Sequence, residues 1–193
     1  MAKAKINIPQ IRFKGFENEW EIKGLNSIGN RYSGLTYSPE NVQKKGVFVL
    51  RSSNIQNDFL IDADNVYVDP NVVNCTYVQQ GDVIIVVRNG SRSLIGKHAI
   101  VRTMMPKTVI GAFMSAYRPK AGSGFFLNAL LSTDAFHSEV YRSLGATINQ
   151  ITGKDFDLMR FQLPSFKEQT QIGDFFQKID QVIELQQKAL DTA

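Results

Sequence analysis

Residues 163–190 read LPSFKEQTQIGDFFQKIDQVIELQQKAL, and this stretch divides the chain into two kinds of structure. Pro164 closes the preceding segment, because its ring removes a backbone donor and fixes φ. Ser165-Phe166-Lys167-Glu168 then has the pattern of a capping box, with Ser165 accepting from the Glu168 amide and the Glu168 carboxylate reaching back. Beyond it Ile172, Phe175, Phe176, Ile179, Val182, Ile183 and Leu190 recur at heptad spacing, which predicts a helix with one apolar stripe. From Ser165 to Leu190 it would span roughly 39 Å. The stripe must be covered, either by the chain's own domain or by a partner helix. A partner is favoured because the stripe runs on to a point where no further element follows. The expectation is a coiled-coil pairing through a spacer helix at 164–193.

Working backwards, residues 1–163 predict a β-rich domain, so that the whole is α+β. Val47–Leu50 follows Lys45-Gly46, Val66–Val68 precedes Asp69-Pro70, and Val83–Val87 follows Gly81-Asp82; apolar runs bounded by turn residues read as strands. Val83–Val87 is continuous rather than alternating, so it predicts a strand buried on both faces. His98–Arg102 and Val109–Tyr117 read as further strands, and Phe125–Leu144 as one or two helices ending at Gly145.

Charge is segregated along the chain. Ser52–Val87 contains five aspartates and no Lys or Arg, whereas Val83–Thr133 contains seven basic residues and no acid. Residues 165–193 carry three Lys and five acidic residues, leaving 19 basic and 13 acidic residues on 1–164. Such a distribution suits a domain with one phosphate-facing side, although blocks in sequence need not form one face. The single cysteine, Cys75, allows no internal disulfide and fits a reducing compartment. No run approaches a membrane span, and the basic start at Met1–Ile8 has no hydrophobic signal core behind it, so a cytoplasmic protein is expected.

No catalytic constellation is visible. Asp69-Pro70-Asn71 lacks the second proline and aromatic residue of a base-methylating element. The Asp62–Asp69 cluster has no nearby lysine, and His98, His137 and Cys75 do not compose a zinc site. Four polar loops could instead contact DNA. Arg88, Asn89, Ser91, Arg92 and Lys97 combine base-reading and phosphate-holding groups in the loop that leaves Val83–Val87. The others contribute Arg31, Tyr32, Thr36 and Tyr37; Arg51, Ser53 and Asn54; and Thr147, Asn149 and Gln150. Each loop taken alone is equally readable as a solvated surface turn.

The same segments carry a resemblance. IPQIRFKGF at residues 8–16, LRSSNI at 50–55, GDVIIVVRNGSRSLIGK at 81–97, GATINQIT at 145–152 and LPSFKEQTQIGDFFQKID at 163–180 together resemble the specificity subunits of type I restriction–modification systems. That resemblance implies a target-recognition domain for one half of a split DNA site, followed by a spacer helix. It implies double-stranded DNA as a partner, with modification subunits that use S-adenosylmethionine and restriction subunits that use ATP, and no cofactor or catalysis on this chain. A full subunit of this family has two recognition domains and two antiparallel spacer helices, whereas this sequence has one of each. The expectation is a homodimer that rebuilds the pair. The competing expectation is a fragment that occupies modification subunits without reading DNA.

Overall fold

The computed structural model describes residues 9–122, 124–145 and 149–191. Its centre is an antiparallel sheet in the order Gly29–Ser33, Met114–Pro119, Val83–Val86, His98–Ile100. The continuous apolar run is the reason for its central place. Val83 and Ile85 pack on one face with Phe126, Leu127, Leu131, Phe136 and Phe156, and Ile84 and Val86 pack on the other with Leu50, Ile55, Ile110 and Met114. With a side-chain period of two, only a strand between two layers needs apolar residues at every position. All four residues of Val83–Val86 are fully buried.

One covering layer is helical: α1 at Gly124–Leu131, α2 at Asp134–Ser143 and α3 at Gly153–Leu158. The other is a mixed sheet in the order Thr108–Ile110, Val47–Leu50, Val66–Val68, Val42–Gln43, with the first pair parallel. Leu35, Val47, Val49, Val68 and Val109 form a core cluster in this layer. Glu21–Lys23 pairs antiparallel with Phe161–Leu163, tying the start of the domain to the strand before Pro164.

Two expectations are corrected here. Val109–Tyr117 is not one strand. Thr108–Ile110 belongs to the mixed sheet and Met114–Pro119 to the antiparallel one, joined by a turn in which Met114 N–H bonds Gly111 O at 2.9 Å. Gly34 permits this crossing because it lies directly against the Gly111 carbonyl, where a Cβ on Gly34 would clash. The charge-block reading also fails as a map of one face. Arg118 donates to buried Asp82 from Nε at 2.9 Å and from Nη2 at 2.8 Å, and Arg102 turns toward the C-terminal helix.

That helix, α4, runs over Phe166–Asp191, 26 residues. Its first turn differs in one detail from the sequence pattern. Ser165 Oγ accepts the Glu168 amide at 3.4 Å, but the buried Glu168 carboxylate is held by Arg12 at 2.7 and 2.8 Å and by the Trp20 indole at 3.3 Å. A charged side chain is tolerated at such depth because it is paired and hydrogen-bonded. Further along, Arg102 reaches Asp180 at 2.7 Å and Glu184 at 3.5 Å while its guanidinium lies over the Phe59 and Phe125 rings.

The chain's own domain covers only the first turns of the apolar stripe. Ile172 packs on the domain core, and Phe175 meets Phe13 edge-on. Past that point Phe176 is 42% exposed, Val182 53% and Leu190 73%, with Ile179 and Ile183 also exposed. No described helix is long and apolar enough to cross a membrane.

Candidate nucleic-acid interface

Strand direction brings separate loops to one edge. The antiparallel sheet releases the chain after Ser33 and Val86 and takes it in at Met114, all at the same end. The mixed sheet contributes the segments after Leu50 and Ile110 there, because Gly111 N–H bonds Leu50 O at 2.9 Å and Leu35 N–H bonds Ile110 O at 2.7 Å. The segment at 149–152 joins through Ile151 N–H to Val87 O at 2.8 Å and a bridge between Arg88 and Gln150. Three of the sequence-predicted loops are thus cross-linked. Asn149 Nδ2 donates to Gly90 O at 3.0 Å, Asn89 Nδ2 to Ser52 Oγ at 3.3 Å, and Lys97 Nζ to Ser52 O at 3.5 Å.

Within this edge the predicted residues have different freedom. Arg88 is exposed, with its guanidinium over the Phe113 ring at 5.0 Å. Ser91, Ser53 and Thr36 are exposed as well. Asn89 shapes the loop, since its Oδ1 accepts the Ser91 amide at 2.9 Å. Arg92 opens a short 3-10 turn, with Nη2 3.4 Å from Leu144 O. Gln150 is half-buried beside Arg88. Thr147 lies outside the described residues.

Others are drawn into the fold. Tyr32 donates its hydroxyl to Asp82 Oδ2 at 2.6 Å beneath Arg118; burial first, and then Asp82, push its pKa up. Asn54 is fully buried, its amide oxygen capping the Arg51 amide and its nitrogen donating to Ala63 O. Arg51 is paired with Asp64 at 2.5 Å. Tyr37 packs on the mixed-sheet core, and Arg31 lies mid-strand, filling the space that a Cβ on Gly153 would take. A hydroxyl or amide so committed is a poor base reader, because meeting a base would leave its buried partner unsatisfied.

The residue that sequence reasoning missed is Phe113. It was placed inside a strand, yet it stands at the turn between sheets and is 54% exposed. Ser52, half-buried and accepting from Asn89 and Lys97 of the 88–97 loop, was not singled out. The signal for Phe113 was Gly111, a glycine that interrupts the apolar run beginning at Val109. Behind the edge lies a cavity of about 320 Å³ lined by Asp58, Lys97, His98, Ser132 and His137, among others. No group of three His, Cys, Asp or Glu close enough to hold a metal occurs among the described residues.

Residues 17–192 match the sequence model of the type I restriction modification DNA specificity domain. The chain is 30% identical over 162 residues to the type I restriction enzyme StySPI specificity subunit of Salmonella potsdam, covering 80% of this chain and 35% of that protein. It is 30% identical over 163 residues to the EcoKI specificity subunit of Escherichia coli K12, with the same coverage. The HsdS subunit of Thermoanaerobacter tengcongensis shares its fold, with a TM-score of 0.62 at 19% identity over 91% of this chain and 41% of that one. The chain spans about a third of the length of the curated relatives it matches. With the match running from Glu17 through the whole of the C-terminal helix, the chain belongs to the type I restriction–modification DNA specificity domain family.

Proposed function

We propose that this chain is a DNA-recognition subunit that reads one half of a split target site and directs modification and restriction subunits to it. The observation that carries the reading is the convergence of the 88–97, 51–54 and 149–151 loops on one edge, with Arg88, Ser91 and Arg92 exposed on it. Arginine at such an edge suits bidentate bonding to guanine, while Lys97, the hydroxyls and backbone N–H groups suit phosphates. Methylation and cleavage, with S-adenosylmethionine and ATP, belong in this reading to partner subunits in the cytoplasm. Residues up to Leu163 form the recognition domain and the helix from Pro164 is the spacer.

Support for a homodimer comes from the stripe that the domain leaves uncovered: Phe176, Ile179, Val182, Ile183 and Leu190. A second copy packing the same stripe would bury it, and two-fold symmetry would make the site an interrupted palindrome. The chain should therefore be dimeric at micromolar concentration, and Phe176→Asp or Ile179→Asp should halve its mass in solution. A monomer indifferent to both changes would dismiss the pairing.

The decisive experiment is co-expression with a type I modification subunit, followed by genome-wide mapping of methylated adenines. A symmetric split motif is expected. Capture of the modification subunit with no salt-sensitive DNA binding and no motif would overturn the reading in favour of an interaction protein.

A further inference from the structure

Phe113 is an isolated exposed aromatic ring, which alone means little on a protein surface. Its setting is more informative. It sits at the tip of the Gly111–Met114 turn, on the edge where the polar loops converge. Its carbonyl accepts from both Val87 N–H at 2.9 Å and Arg88 N–H at 3.1 Å, so the backbone fixes the ring relative to Arg88. The Arg88 guanidinium rests over that ring, Cζ 5.0 Å from the centroid. A cation–π contact occupies the ring face and leaves the guanidinium fork able to donate to a ligand. The pair thus presents a flat apolar edge beside a planar donor fork, already oriented, and orientation in advance lowers the entropy lost on binding.

These two surfaces have definite counterparts in the major groove. Thymine carries a methyl group that apolar side chains meet, and guanine presents N7 and O6, which arginine bonds with two parallel N–H groups. Successive bases rise about 3.4 Å along a strand, so groups held 5.0 Å apart fit neighbouring base pairs. Resting on the DNA-reading function above, we propose that Phe113 and Arg88 act as one unit that reads an adjacent thymine and guanine. Phe113 contacts the thymine methyl, and Arg88 bonds guanine N7 and O6.

The test uses the full chain with its modification subunit and a duplex carrying the mapped site. Each thymine is replaced in turn by uracil, which removes only the methyl group, and each guanine by 7-deazaguanine, which removes only N7. One uracil should weaken binding by about fourfold, the equivalent of one buried methyl group. One 7-deazaguanine at the neighbouring base pair should weaken it by about tenfold. Phe113→Ala should bind the natural site more weakly and become indifferent to that uracil, whereas Phe113→Leu, which keeps an apolar contact, should retain the sensitivity. Arg88→Ala should become indifferent to the 7-deazaguanine. The inference is overturned if uracil is neutral everywhere, if the methyl effect survives in Phe113→Ala, or if the two sensitive positions are not adjacent. A wild-type chain that distinguishes no sequence at all sinks the DNA-reading function as well, and is recognised before any modified base is used.

Discussion

Arg118 and Arg88 come from the same acid-free block of sequence, yet they perform opposite work. Arg118, at the end of its strand, holds both oxygens of the buried Asp82 carboxylate, which also accepts from Tyr32 and from the Gln79 amide at 2.8 Å. Arg88, at the start of its loop, rests on Phe113 and faces outward. Arg102 sides with Arg118, tying the helix to the domain through Asp180 and Glu184. The comparison teaches that a basic stretch is divided by its acidic partners. Arg118 and Arg102 face carboxylates brought from elsewhere in the chain, whereas Arg88, Arg92 and Lys97 lie on the loop edge.

The largest effect should come from breaking the internal side of this comparison. Asp82→Ala leaves Arg118 and the buried Tyr32 hydroxyl without their acceptor and should lower stability by about 3 kcal/mol in urea denaturation. Arg118 retains partial contact with water, which keeps the loss at the lower end for a broken buried pair. The preference of the surviving folded protein for its site over random DNA should not change. A variant as stable as the parent would show that the Asp82 cluster does not hold the central sheet together.

The external side should respond in the reverse way. Arg88→Ala should change stability by less than about 0.5 kcal/mol but weaken binding to the true site by ~1–3 kcal/mol more than binding to random DNA. Arg92→Ala should follow the same pattern with a smaller effect, since its guanidinium already leans on the Leu144 carbonyl. Lys97→Ala should weaken all sequences alike and reduce the salt slope by about one. Competition binding at several salt concentrations separates these outcomes. Equal losses on every duplex would make Arg88 a phosphate holder.

Elements whose cause is local were legible in the sequence. Val83–Val86 is buried on both faces because its own residues are apolar without interruption, and α4 begins where Pro164 and Ser165 place its start. The helix α3 was missed although Thr152 and Asp155 form a reciprocal capping box at its start; its six residues are too short to display a helical period. What depends on meetings across the chain could not be read. Glu168 carries the signature of a capping residue, yet Arg12, 156 positions away, takes its carboxylate. Tyr32 and Asn54 have the composition of DNA-contacting residues, and only the positions of Asp82 and Ala63 reveal that they serve the fold. Four separate polar loops were identifiable, but their common edge follows from strand order in two sheets.

His98 lies at the junction of these two regions, directly after Lys97 and at the start of a buried strand, and it provides the finest test of how firmly the edge is attached. Its Nδ1 lies 3.0 Å from the Gly96 carbonyl, an acceptor only, so the neutral ring carries its proton on Nδ1; Nε2 faces Ser132 Oγ at 3.1 Å. Burial lowers its pKa from the ordinary 6.5, partly opposed by the Asp58 charge and reinforced by His137. The unfolded chain therefore takes up a proton at a higher pH than the folded one does. Stability from this residue is complete above about pH 6.5, falls as the pH drops below that value, and continues falling until the folded imidazole is itself protonated. For one proton the slope is at most ~1.4 kcal/mol per pH unit. Thermal melting between pH 7.5 and 5.5, scanned in steps of about half a unit, should show the wild type losing more stability than His98→Gln over the acidic part of that range. Parallel curves for the two proteins would mean that the buried His98 ring does not contribute to the acid dependence of stability.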